Sequence, residues 1–187
     1  MLTLAQLKKD FQKAANPKQA KISQRFFRTG KGEYGEGDIF LGIKVPVQRQ
    51  FVKKYCNLPF KDIQQLLNSK IHEHRLVGVL ILVAQYIHGD DVAKKKIFLI
   101  YLQNTHNVNN WDLVDFSAPN IVGHYFLDKP RKKLYTLARS RLLWERRIAM
   151  LATFTFIRNN DFKDALALAT ILLDDEHDLI HKAVGWM

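Results

Sequence analysis

The 187-residue chain is poor in cysteine, proline and glycine, and short of acid relative to base. A single cysteine, Cys56, excludes an intrachain disulfide and an all-cysteine metal site, and a reducing compartment suits it. No apolar run reaches the 18 or more residues that a membrane-spanning helix needs. The first residues, MLTLAQLKKDFQKAAN, alternate charge with hydrophobes and lack the apolar block of a signal peptide. Period-two alternation is nearly missing, which argues against sheet. Only five prolines and nine glycines punctuate the chain, and four of the glycines crowd into Thr29–Asp38. That stretch, TGKGEYGEGD, lacks the G-x-x-x-x-G-K-[ST] pattern of a phosphate-cradling loop and reads as a mobile surface loop.

What remains is helical and basic. Apolar residues recur at helical spacing from Leu4 through Phe11, and again in segments 46–56, 59–69, 72–87, 90–104, 111–126, 130–142, 144–157, 161–173 and 178–187. Short polar links join them. Asn109 or Asn110 can cap the helix beginning at Trp111, and Pro46 and Pro130 suit first helical positions. The net charge is +11, unevenly spread. Residues 1–54 hold twelve basic and four acidic side chains, residues 129–147 eight and one, and residues 161–182 two and six. Two basic blocks suit a polyanion, because each neutralised phosphate releases counterions.

The more apolar helices recur. Arg75, Trp111, Arg147 and Lys182 stand one turn into successive ones, at separations of 36, 36 and 35 residues. Helix pairs at that period predict an all-α chain, an α-solenoid of stacked pairs in a single domain over 1–187 with a concave basic cleft. Trp111 and Asp115, four residues apart, share a helix face, whereas Asp112 is turned away and lies where a carboxylate favours the helix dipole. Asp112 therefore reads as structural and Asp115 as the better candidate for chemistry. Arg147 sits on a stripe with Leu151 and Phe154. Such a guanidinium snorkels, pairs with an acid of the adjacent repeat, or waits for an anion. Its offset from Trp111 favours the last, a residue facing a ligand rather than a core ion-pair partner.

Other constellations are weaker. His177 and His181 are four apart but do not form H-E-x-x-H and have no evident third ligand. Cys56 has no neighbouring histidine to activate it, and no G-x-S-x-G elbow occurs. No lysine stands out as a Schiff-base nucleophile.

W-D-L-V-D at 111–115, W-E-R-R-I-A at 144–149, H-K-A-V-G-W at 181–186 and I-F-L-G-I-K-V-P at 39–46 resemble the AlkD-type DNA alkylation repair glycosylases, which are built from HEAT-like repeats. The resemblance runs from about residue 5 to the end, in that family's order. It implies hydrolysis of the N-glycosidic bond of cationic alkylpurines, such as 7-methylguanine and 3-methyladenine, in duplex DNA during base excision repair. Asp115 would be the catalytic carboxylate, and Trp111 and Trp186 aromatic walls of the cleft. Arg147 would contact the DNA backbone, and Phe26, or else Phe27, would stand for a further aromatic of the family. Lys53, Lys54, Lys132 and Lys133, from the basic blocks, would add affinity for DNA. No cofactor, metal or membrane is implied; the expectation is a monomer in the cytoplasm, at the nucleoid when DNA-bound. The family continues past its glycine-tryptophan pair, so the resemblance also implies that a further C-terminal helix pair is lacking here. A non-catalytic DNA-structure binder on the same scaffold is the alternative. A protein-binding solenoid would need neither basic block.

Overall fold

A computed structural model describes residues 2–187, and they fold into two compact units that divide between His88 and Gly89. All the regular elements among the described residues are helices. The first unit contains α1 (Leu4–Ala14), α2 (Pro17–Phe26), α3 (Val45–Tyr55), α4 (Phe60–Leu67) and α5 (His72–His88). The second contains α6 (Asp91–Gln103), α7 (Trp111–Ala118), a π-helical turn (Pro119–Gly123), α8 (Lys132–Ala138), α9 (Leu143–Arg158), α10 (Lys163–Leu172) and α11 (Asp178–Trp186). This is the α-solenoid class that the period predicts. No helix among the described residues is long and apolar enough to cross a membrane.

Local chemistry accounts for several of the helix starts. Thr3 and Gln6 form a reciprocal capping box on α1, the Thr3 hydroxyl accepting from the Gln6 amide and the Gln6 side chain accepting from the Thr3 amide. Asn16 caps α2 ahead of Pro17, and Asp90 caps α6. The α2 helix has no counterpart in the sequence expectation. Its ten residues are mostly polar and none is buried, so it does not stand out as an apolar segment.

Each unit is built round one central helix. α5 is buried on nearly every side and receives α3 and α4. In the second unit α9 buries Ile148, Ala149, Leu151, Ala152 and Phe156 against α7, the π turn, α8, α10 and α11. The apolar residues of α5 and α9 are spread round most of each helix, as that central position requires. The expected single helix over 111–126 is broken at Pro119. Proline has no amide hydrogen to return to the Asp115 carbonyl, and the backbone widens there into the π turn. The Pro119 carbonyl also accepts from the Thr155 hydroxyl of α9 at 2.6 Å, tying the two elements together. Gly123 permits the close approach, since a Cβ there would lie 2.3 Å from the Ala152 carbonyl oxygen.

The glycine-rich stretch lies mostly at the surface and is anchored at its end. Asp38 at its end is buried and accepts from Arg75 at 2.6 Å, with His72 beside it at 3.3 Å. Next to it, the buried Glu73 carboxylate accepts from the amides of Leu41, Gly42 and Ile43. Gly42 makes that nest possible with φ +78°, and a Cβ there would meet the Asn16 carbonyl oxygen at 2.2 Å. Gly42→Ala should therefore lower unfolding stability by about 2 kcal/mol, combining left-handed strain with overpacking. Urea denaturation measures it, and an unchanged midpoint would show that the nest does not constrain the fold.

Candidate active site

Three helices of the second unit place the candidate residues. α9 packs against both α7 and α11, and the polar contacts among the three repeat with an offset of 32 residues. Arg147 of α9 reaches back to Asp115 of α7 and forward to the Leu179 carbonyl of α11. Seven residues further along, Phe154 of α9 stacks on Trp186 of α11, with centroids 6.0 Å apart and planes 23° apart. Asn110 caps α7 by accepting from the Trp111 amide, which sets the start of the helix and the positions of Trp111 and Asp115 one turn apart on it.

The centre of this arrangement is a two-pronged ion pair. Arg147 Nε donates to Asp115 Oδ1 at 2.9 Å, and its Nη2 donates to Oδ2 at 2.8 Å. The Arg147 side chain is 6% exposed and the Asp115 side chain 16%. The expectation that Arg147 waits for a ligand without an internal partner is thus corrected. A guanidinium taken out of water on an apolar stripe needs a counter-charge, and Asp115 of the neighbouring helix supplies it. Burial pushes the Asp115 carboxyl above its ordinary value, and the Arg147 hydrogen bonds and charge oppose that push. Arg147 occupies one lone pair on each oxygen, so the carboxylate keeps acceptor capacity on its solvent-facing side.

Asp112 is buried, and its Oδ1 lies 2.8 Å from the Leu113 amide that donates to it, within the first turn of α7. Its side chain serves the helix start. Trp111 is half-buried, whereas Trp186 is 59% exposed and presents its indole to solvent. Phe154, which the sequence placed only on the Arg147 stripe, is the residue that holds Trp186. Its role depends on the approach of α11, which no local pattern reports.

The remaining candidates lie elsewhere on the two units. In the first, Phe26 is 64% exposed and meets Phe27 edge-on, while Phe27 is half-buried and stacks on Phe40. Of the two phenylalanines, Phe26 is the one open to a ligand. Lys53 is exposed, but Lys54 is engaged: its ammonium lies 2.7 Å from Asp10 and over the Tyr55 ring. Hydrogen bonds from Lys54 and Tyr55 hold the Asp10 carboxyl below its ordinary value. In the second unit Lys132 and Lys133 stand exposed at the start of α8. Their neighbour Arg131 is bound to Asp161 and Asp164, and all three line an open cavity of about 720 Å³ that also includes Lys132.

The repeat has a more exact register than helix starts suggest. Arg75 Nη1 donates to the Ser69 carbonyl and Arg146 Nη1 to the Ser140 carbonyl, six residues back in each case. The hydroxyls of Ser69 and Ser140 accept from the amides two residues on. Arg75 therefore corresponds to Arg146, not to Arg147, and Arg146 is itself neutralised by Asp175. Lys182, the fourth residue of the sequence repeat, pairs with Asp178 on the surface of α11. His177 caps α11 with its ring nitrogen, which accepts from the Leu179 amide. Among the described residues no three His, Cys, Asp or Glu side chains come together as a metal-binding group.

Residues 7–187 match the model of a protein family described as DNA alkylation repair enzyme. The fold is similar to that of a solved structure, the predicted DNA alkylation repair enzyme from Enterococcus faecalis. The TM-score is 0.64 at 16% identity, over 92% of this chain and 80% of that one. No curated protein matches the chain.

Proposed function

The chain belongs to the family of DNA alkylation repair enzymes, and from that premise we propose that it is a monofunctional DNA glycosylase for alkylated, cationic purines. The observation that carries the proposal is the Asp115 carboxylate, fixed in orientation by Arg147 on the same helix face as Trp111 and still 16% exposed. Alkylation of a purine ring nitrogen makes the base a good leaving group. Breaking the bond between C1′ and the base leaves positive charge on the sugar, and water then adds to C1′, giving free base and an abasic site. A carboxylate beside C1′ stabilises that charge and can orient the water. The two oxygens of Asp115 are held by a planar fork, so their free lone pairs point in a fixed direction. Trp111 and Trp186 would contact the cationic nucleotide through their ring faces at about 0.5–2 kcal/mol each, which assists binding but cannot carry the chemistry.

The test is release of free base from duplex DNA containing 7-methylguanine. Release by the unaltered protein supports the reading, and damage-dependent binding without release would replace it with a non-catalytic binder. The surface lysines belong to affinity in this account. Lys53→Ala, Lys132→Ala and Lys133→Ala should weaken binding to damaged and undamaged duplex alike, reducing the salt slope by up to about 0.9 for each phosphate left without its cation. Lys54→Ala should change the slope least, because Asp10 already neutralises that ammonium. A binding titration at several salt concentrations measures each slope, and weakening confined to damaged DNA would assign these lysines to lesion reading instead.

A further inference from the structure

α9 carries three arginines, and their surroundings differ. Arg146 is neutralised by Asp175 and Arg147 by Asp115. Arg158, in the last turn, is exposed and has no carboxylate within ion-pair distance among the described residues. Its guanidinium lies over the Phe154 ring, 5.8 Å from the centroid. Phe154 in turn stacks on the exposed indole of Trp186. Guanidinium and indole thus both pack on the Phe154 ring, so one phenyl is shared by an unneutralised cation and an exposed indole. Arg147, Phe154 and Arg158 occupy positions i, i+7 and i+11 of one helix, so these contacts continue the line that begins at the Asp115 ion pair.

We propose that Arg158 binds the phosphodiester of the DNA strand whose sugar or base rests on Trp186, and that Phe154 is a positioning residue for both. The inference builds on the glycosylase reading and gives Arg158 the backbone contact that the buried Arg147 cannot make while it holds Asp115. The chemistry is that of a planar, permanently charged fork, which matches two phosphate oxygens where an ammonium matches one. The Phe154 face limits the rotamers open to the guanidinium, so less freedom is given up when phosphate arrives. A location in the last turn of α9 also favours a cation through the helix dipole, which is a purely structural role and the competing explanation.

The experiment compares the unaltered protein with Arg158→Ala, Arg158→Lys and Phe154→Leu, by duplex binding across a salt series and by thermal melting. Arg158→Ala should weaken duplex binding about tenfold at low salt, as expected for removal of a charge-assisted hydrogen bond, and reduce the salt slope by about 0.9. Its melting midpoint should stay close to that of the unaltered protein. Arg158→Lys should recover the slope and only part of the affinity. Phe154→Leu should lower affinity with the slope unchanged, since the charge remains and only its support is gone. An unchanged slope in Arg158→Ala, or a fall in melting midpoint with unchanged binding by the folded protein, would overturn the assignment in favour of the dipole role. Duplex binding without base release would remove the glycosylase reading and leave the phosphate contact standing. Failure of the unaltered protein to bind duplex would overturn both.

Discussion

Arg147→Ala should lower the stability of the protein by about 3–5 kcal/mol, read as a fall in the thermal or urea midpoint. The substitution strands the Asp115 carboxylate in a site that is mostly dry and deprives the Leu179 carbonyl of its Arg147 donor. The effect should lie toward the lower end of that range, because the carboxylate retains some contact with water and can take up a proton. Arg147→Lys should cost less, since an ammonium can still meet one carboxylate oxygen, but it cannot reproduce the two-pronged geometry. Replacing both partners by apolar residues of similar size, as in Asp115→Leu with Arg147→Met, should restore much of the stability of Arg147→Ala and none of the base release. That pattern would separate the structural contribution of the pair from its chemical one. A wild-type midpoint for Arg147→Ala would mean that the pair is open in solution and that the guanidinium is free for phosphate.

The two roles of Arg147 show where sequence reasoning reaches its limit. Its place on an apolar stripe with Leu151 and Phe154 is legible, because helical periodicity is local, and pairing with an acid of the adjacent repeat is among the options that this allows. Choosing among them requires the axial offset between adjacent helices. Helix starts recur about every 36 residues, whereas Asp115, Arg147 and Leu179 meet at intervals of 32. The difference is about one helical turn. A count of helix starts therefore sets Trp111 beside Arg147 when packing sets Asp115 there. The same limit hides Phe154 as the support of Trp186. Other elements are hidden for different reasons. α2 is mostly polar and buries nothing, so it does not stand out as an apolar segment, and the break at Pro119 depends on a single missing amide hydrogen. Asp38 ends the glycine-rich stretch and Glu73 stands among the charged residues that open α5, settings that read as solvent-exposed, yet Arg75 and the 41–43 amides hold both carboxylates in buried sites. By contrast, α5 and α9 announce themselves, because a central helix must be apolar nearly all round.

Asp115→Asn should reduce base release per folded molecule by about 10²–10³-fold, the cost of removing one preorganised electrostatic contact to a transition state. The amide keeps the shape of the carboxylate and can accept one hydrogen bond from Arg147, but it has no charge with which to stabilise a positive sugar. It also leaves the buried guanidinium without a counter-ion, so the variant should melt lower, and rates must be compared at a temperature where both proteins are folded. Asp112→Asn should cost far less activity, because that side chain is buried within the first turn of α7 and bonds the Leu113 amide. Equal reductions in the two variants would place the chemistry elsewhere. The pH profile provides an independent check on the same residue. Base release needs Asp115 ionised, and burial holds its carboxyl above the ordinary value despite Arg147. Activity should therefore fall as the pH drops through a midpoint above the usual carboxylate value of about 3.9. In Asp115→Asn the residual activity should lack that limb, since no proton remains to be taken up at this position. A limb that persists unchanged in the variant would show that another group titrates, and that the carboxylate held by Arg147 serves the fold alone.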